Sequence, residues 1–141
     1  MSLLENLYNV AVNALRPLLP AVGAASPKVS AAVEGRRAAA GDIVRWAERE
    51  RDPFCPLLWL HGSSAGDRAG AIPVVERVRA ERPDLQLLVS YSSPSAESIL
   101  DELAADYAGY PPLETMAACR EALERSRPDA MVFAKLDAWP A

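Results

Sequence analysis

His61, Gly62, Ser63, Ser64, Gly66 and Asp67 fall in one unbroken run, His-Gly-Ser-Ser-Ala-Gly-Asp, directly behind the apolar residues 57–60. An apolar run, a Gly/Ser turn, a carboxylate and then a helical pattern through Ala71, Ile72, Pro73, Val74 and Val75 form a recognisable order. It is how an α/β sheet carries chemistry at the carboxyl end of a strand. Gly62 and Gly66 let the backbone turn sharply and present N–H groups at a helix start, where a phosphate or carboxylate can be held. Ser63 and Ser64 add hydroxyl donors. His61 fits hydrogen bonding that orients the loop better than direct catalysis. By itself such a turn is also the ordinary connection from strand to helix.

The far end of the chain repeats the geometry. Residues 130–134, Ala-Met-Val-Phe-Ala, read as a buried strand that delivers Lys135 and Asp137 ahead of Trp139 and Pro140. Two strand ends bearing charged residues are then expected to meet in one crevice.

Positioning these groups requires a sheet. Apolar runs at 57–60, 85–89 and 130–134 alternate with helical patterns at 69–80, 95–107 and 114–126, an order that predicts a parallel sheet with helices on both faces. Ser93 is placed to cap the second of these helices, with Pro94 at its first position, where a missing N–H costs nothing. A further strand near 108–110 must be short or irregular, because Pro111 and Pro112 follow at once. Ahead of the sheet, Leu3, Leu4, Leu7, Val10, Ala11, Ala14, Leu15 and Leu18 recur at three- and four-residue intervals and form one helical stripe, which Pro17 and Pro20 limit. The expected organisation is a helical arm over residues 1–52 and one α/β body over 53–141.

With 141 residues, half of them apolar, the chain can bury a single core. A net charge of −4 and a pI near 5.0 argue against a general nucleic-acid binder. Residues 1–52 hold seven Lys/Arg against six Asp/Glu and the remainder eight against thirteen, so the arm is +1 and the body −5. Cys55 and Cys119 lack the paired spacing of a zinc site or a disulfide framework and read as reduced structural thiols. The first apolar stretch has no basic leader and is interrupted by Glu5, Asn6, Asn9, Asn13 and Arg16, which argues against a signal peptide and for a cytoplasmic location. At under roughly 20 apolar residues the stretch could lie on a bilayer but not readily cross one, or it could pack against the body.

Taken in order, the motifs resemble the Kdo transferases, which attach 3-deoxy-manno-octulosonic acid to the lipid A precursor. The family's first motif is His-x-x-Ser-x-Gly-Glu followed by Ala-x-Pro. This chain has His61-Gly62-Ser63-Ser64-Ala65-Gly66-Asp67 and then Ala71-Ile72-Pro73, departing at the last position of the first element. Arg82-Pro83-Asp84-Leu85 continues the likeness, Ser93-Pro94-Ser95-Ala96 resembles the family's Thr-Pro-Thr-Gly turn, and Lys135-Leu136-Asp137-Ala138-Trp139-Pro140 stands where Glu-Thr-Glu-Leu-Trp-Pro is usual. Gly35-Arg36-Arg37 carries a looser match.

The resemblance implies the Rossmann-like amino-terminal half of a GT-B glycosyltransferase. Its reaction is inverting and metal-independent: Kdo passes from CMP-Kdo to a lipid A precursor, and the donor binds mainly in a carboxyl-terminal domain that this chain does not include. No cofactor is implied. An inverting transfer needs a carboxylate to take the proton of the attacking hydroxyl, and Asp67 occupies the family's base position, with Asp137 the second catalytic carboxylate. His61, Gly62, Ser63, Ser64, Gly66 and Lys135 then surround the acceptor. Lys135 in place of a glutamate would weaken Asp67 as a base if the two are close, would bind an acceptor phosphate in a reworked site, or is a plain surface charge. The family also implies a peripheral protein at the cytoplasmic face of the inner membrane, held through residues 3–19, with Arg36, Arg37, Arg45, Arg49 and Arg51 available to anionic lipid. Two other readings fit the same residues: a catalytically degenerate glycolipid-binding module, and a generic phosphate- or nucleotide-binding α/β domain.

Overall fold

The computed structural model describes residues 3–18, 27–63, 65–93 and 104–134, without the side chains at 3–6, 9, 16, 28, 29, 65 and 67–69. Ser64, Lys135, Asp137 and most of the helix expected from Ser95 lie outside the described residues. In chain order the elements are α1 (Leu3–Leu15) with a 3₁₀ turn (Arg16–Leu18), α2 (Pro27–Arg49), β1 (Leu57–His61), α3 (Ala65–Glu81), β2 (Gln86–Ser90), β3 (Tyr107–Gly109), α4 (Met116–Ser126) and β4 (Ala130–Phe133).

The four strands pair in parallel in the order β3-β2-β1-β4, which places the two motif-bearing strands side by side with Leu58 opposite Ala130 and His61 opposite Phe133. Successive side chains of a strand point to opposite faces, and both faces are covered. Leu58, Leu60, Leu87 and Val89 pack with Ala71 and Val75 of α3, while Leu57, Trp59 and Leu88 pack with Ile43 and Trp46 of α2 and Ala122 of α4. Continuous apolar runs are what a strand buried on both faces requires. This is the α/β architecture with a parallel sheet and helices on both sides.

Several expectations change in detail. Residues 130–134 were expected to be buried, yet β4 is the edge of the described sheet, and Met131, Val132 and Phe133 are each about 40% exposed. An apolar run reports an affinity for burial, not the presence of a neighbour to supply it. The helix expected to reach 107 does not: Ala104 takes a left-handed φ of 46°, and Tyr107 already belongs to β3. That strand has three residues, because Pro111 and Pro112 have no N–H to extend the ladder. Gly66 does not turn the chain either, since it lies in the first turn of α3, and among the described residues no glycine has a positive φ. α4 begins where its cap lies, with Thr115 Oγ1 accepting from the Ala118 N–H at 3.3 Å.

Of the expected arm, α2 packs on the sheet, with Ala39, Ile43 and Trp46 buried one turn apart. A Cβ at Gly35 would overlap the Tyr110 ring, so glycine lets α2 lie close to the turn after β3. α1 behaves differently. Tyr8 and Val12 are half-buried, and the Tyr8 hydroxyl donates to Glu114 Oε2 at 3.0 Å, while Leu7, Val10, Leu15 and Leu18 are 55–68% exposed. The apolar stripe of this helix therefore faces outward. Among the described residues no helix is long and apolar enough to cross a membrane.

Tyr107 packs its ring against Trp46, centroids 5.6 Å apart, and burial pushes its phenol up to about 12. A phenol whose folded pKa exceeds its ordinary value stays protonated in the fold and ionises first in the unfolded chain. Its contribution to stability is complete below pH about 10 and is lost as pH rises from there through about 12. Urea midpoints between pH 9 and pH 11.5 should therefore fall more steeply for the parent chain than for Tyr107→Phe. Parallel curves would refute the assignment.

Candidate functional site

The alternation of β1 sends Trp59 and His61 to the same face as their β4 partners Met131 and Phe133. Together they floor a cavity of about 810 Å³ at the carboxyl ends of β1 and β4. One wall is α4, whose Met116, Cys119, Arg120 and Leu123 recur at three- and four-residue spacing and so share a helix face. The rim is formed by Ser63 after β1, by Arg36 of α2 and by Glu114 before α4. That volume lies within the roughly 300–1,000 Å³ of small-molecule sites.

The floor is held by a buried polar relay. Trp59 Nε1–H donates to Ser90 Oγ at 2.8 Å, and Ser90 Oγ lies 2.8 Å from His61 Nδ1. Indole can only donate, so Ser90 Oγ receives the Trp59 proton and still has a proton and a second lone pair with which to meet His61 Nδ1. The three residues are 2%, 0% and 6% exposed, and the His61 ring also meets Phe133 edge-on at 5.8 Å. His61 is thus oriented by a side chain of the neighbouring strand β2. At the rim, Arg36 Nη2 pairs with Glu114 Oε1 while Tyr8 holds the other oxygen, which joins α1, α2 and the β3–α4 turn. Burial, followed by the hydrogen bond to Glu114, raises the Tyr8 phenol above its ordinary value.

Two polar atoms on the cavity wall, Ser63 Oγ and Arg36 Nε, are buried and have no hydrogen-bond partner among the described residues. Cys119 is a poor nucleophile. Burial and then the charge of Glu114 push its thiol up, and Sγ donates to the Leu113 carbonyl at 3.6 Å. Among the described residues no group of three His, Cys, Asp or Glu is placed to hold a metal ion.

Of the residues singled out in the sequence, His61 and Ser63 line this cavity, and Gly62 continues from β1 with its N–H bonded to the Ser90 carbonyl at 3.0 Å. Gly66 and Asp67 sit in the first turn of α3, the Asp67 side chain being outside the described ones; Ser64, Lys135 and Asp137 are outside the described residues altogether. Sequence reasoning missed the α4 wall and Glu114. The spacing of Met116, Cys119, Arg120 and Leu123 was visible, but only the fold turns that face toward β4.

The family profile described as 3-deoxy-D-manno-octulosonic-acid transferase matches residues 36–141. A probable mitochondrial 3-deoxy-D-manno-octulosonic acid transferase of Arabidopsis thaliana is 30% identical over 103 residues, covering 68% of this chain and 23% of that protein. Similar enzymes of Rickettsia felis and Chlamydia trachomatis serovar D are 24% and 27% identical over 86 and 88 residues, covering 60% of this chain and 18% and 20% of theirs. The chain thus spans about a fifth of the length of these relatives. No solved structure matches it. The profile covers the sheet, the cavity and both strand-end motifs, and with the relatives it means that the chain belongs to the Kdo transferase family and forms its amino-terminal domain.

Proposed function

We propose that this chain is the acceptor-side domain for transfer of Kdo from CMP-Kdo to a lipid A precursor, with the donor held mainly by a second, carboxyl-terminal domain in a GT-B arrangement. The observation that carries the reading is the parallel pairing of β1 with β4, because the segments after His61 and after Phe133 start from the same end of the sheet, beside one apolar cavity. In the proposed reaction Asp67 takes the proton from the attacking acceptor hydroxyl as cytidine monophosphate leaves the anomeric carbon, and Asp137 supports it from the β4 side. His61, Gly62, Ser63, Ser64, Gly66 and Lys135 surround the acceptor. The inverting chemistry asks for no metal and no cofactor. The test is a fusion of this chain to the part of the Chlamydia trachomatis relative that lies beyond its match, assayed with CMP-Kdo and a lipid A precursor. Transfer by the fusion, and none by the 141-residue chain alone, supports the reading.

A second reading, glycolipid binding without turnover, is favoured by Asp67 and Lys135, which both depart from the family's glutamates. It predicts acceptor binding by an inactive fusion.

Membrane attachment at the cytoplasmic face of the inner membrane is part of the proposal and rests on the outward stripe of α1. Exposed apolar patches of this kind mark interaction surfaces, and interfacial helices bind through such a face. Flotation with anionic vesicles should recover the parent chain, whereas Leu7→Asn combined with Val10→Asn and Leu15→Asn should lower recovery at least about tenfold, given the affinity carried by each buried aliphatic side chain. Equal recovery would exclude α1 as the anchor.

A further inference from the structure

We infer that the cavity between the β1–β4 face and α4 is an acyl-chain site. It takes a fatty chain along Trp59, Leu123 and Met131 and the ester or amide carbonyl at the head of that chain against Ser63 and Arg36. The inference rests on the glycolipid-acceptor reading for the molecule that carries the chain, and it adds which part of that molecule enters here.

The lining separates into two chemistries. Part of the lining is the Trp59 indole and the side chains of Met116, Leu123, Met131 and Phe133, which offer a chain no charge. Among the described lining residues, Arg36 and Arg120 stand against Glu114 and Glu124, and Glu114 is already shared by Arg36 and Tyr8. Among the described residues two donors find no partner, the Ser63 hydroxyl and the Arg36 Nε–H. Burying such groups unpaired is costly, and a neutral carbonyl oxygen, with two lone pairs and no charge, is the acceptor that relieves it. An apolar tail and a neutral hydrogen-bond acceptor together describe an acyl chain at its linkage.

The test uses the 141-residue chain and a series of N-alkanoyl-N-methylglucamides from heptanoyl to decanoyl, titrated calorimetrically below their micellar concentrations. Affinity should rise about two- to fourfold per added methylene as the tail enters the cavity. Decyl glucoside, which lacks the carbonyl, should bind about tenfold more weakly than the decanoyl amide, and Ser63→Ala should weaken the amide by roughly two- to tenfold. Leu123→Trp, at a half-exposed position where the larger ring fills the cavity without entering the core, should lower affinity at least tenfold, and Met131→Trp should do the same should the first variant fail to fold.

A flat chain-length series, decyl phosphate binding as tightly as the decanoyl amide, or unchanged binding by the tryptophan variants would each overturn the inference. The last outcome would mean that the tails bind elsewhere, on the α1 stripe first. Amide binding by a fusion that transfers no Kdo would leave the acyl site standing and remove the transfer reading. Transfer with an acceptor KM unmoved by Leu123→Trp would remove the acyl site alone.

Discussion

Asp67→Asn, introduced into the fusion with the Chlamydia trachomatis remainder, is expected to lower Kdo transfer by about 10²–10⁴-fold, the range lost when a positioned general base is neutralised. Asparagine keeps the shape of aspartate and cannot accept the proton, so the loss reads on chemistry and not on packing. The companion variant is Asp67→Glu. Aspartate in the first turn of α3 stands one methylene short of the family's glutamate, and a misplacement of about 1 Å can cost roughly 100-fold in rate. If the chain is a catalyst with a shortened base, restoring glutamate should raise kcat by about 10-fold or more with little change in acceptor KM. If the chain is a glycolipid-binding module, neither variant moves an already absent rate, while acceptor binding persists. Full activity of Asp67→Asn would remove the base assignment whatever Asp67→Glu does.

These outcomes depend on a geometry that the sequence foretold unevenly. β1, β2 and β4 begin and end within about one residue of the apolar runs that announced them, for β1 and β2 because a strand covered by helices must be apolar on both faces, and for β4 because Asp129 and Lys135 bracket the run. β3 was legible as a fragment because two prolines follow it. What lay beyond local pattern was adjacency. The apolar run 130–133 gives no sign that it ends the described sheet, and nothing near His61 points to Ser90, twenty-nine positions away, as the group that fixes its ring. Ser90 becomes the partner only when β1 and β2 align with His61 opposite it. The same limit hid the cavity wall. Met116, Cys119, Arg120 and Leu123 form an evident stripe, yet a stripe facing a cavity and a stripe facing a core have the same period. α1 shows the converse: its stripe was legible, and the direction it faces was not.

Arg51→Met should cost about 3–4 kcal/mol of folding stability, a large share of the roughly 5–15 kcal/mol that holds a domain of this kind together. Arg51 follows α2, and its side chain is only 8% exposed. Its guanidinium donates to the carbonyls of Asp52, Cys55 (2.5 Å) and Ser126 (3.2 Å) and to Gln86 Oε1 (3.0 Å). Ser126 is the last residue of α4, so one of those bonds closes a helix carbonyl that has no partner within its own helix. Gln86 in turn accepts from the Asp52 N–H at 2.9 Å and donates to the Glu50 carbonyl at 2.9 Å. Asp129, 3.8 Å from the guanidinium, accepts the Leu57 N–H at 2.8 Å where β1 begins.

One cation therefore gathers the end of α2, the entries to β1, β2 and β4, and the end of α4. Methionine retains most of the apolar stem but takes the guanidinium donor from the Cys55 and Ser126 carbonyls, while the Asp52 carbonyl keeps the Cys55 N–H and Gln86 Oε1 keeps the Asp52 N–H. Lysine keeps the charge, but its compact ammonium cannot fork across the same acceptors, so Arg51→Lys should fall between the two. The control is Arg125→Met. That residue's 3.9 Å pair with Glu48 is about 60% exposed on both sides, and loss of such a pair should cost no more than about 1 kcal/mol. With a urea dependence of about 1–3 kcal/mol per molar, the Arg51→Met midpoint should drop by roughly 1–4 M and the Arg125→Met midpoint by no more than about a third of that. Equal shifts would mean that the base of the sheet is held by its strands alone, and that the Arg51 cluster follows the fold instead of securing it.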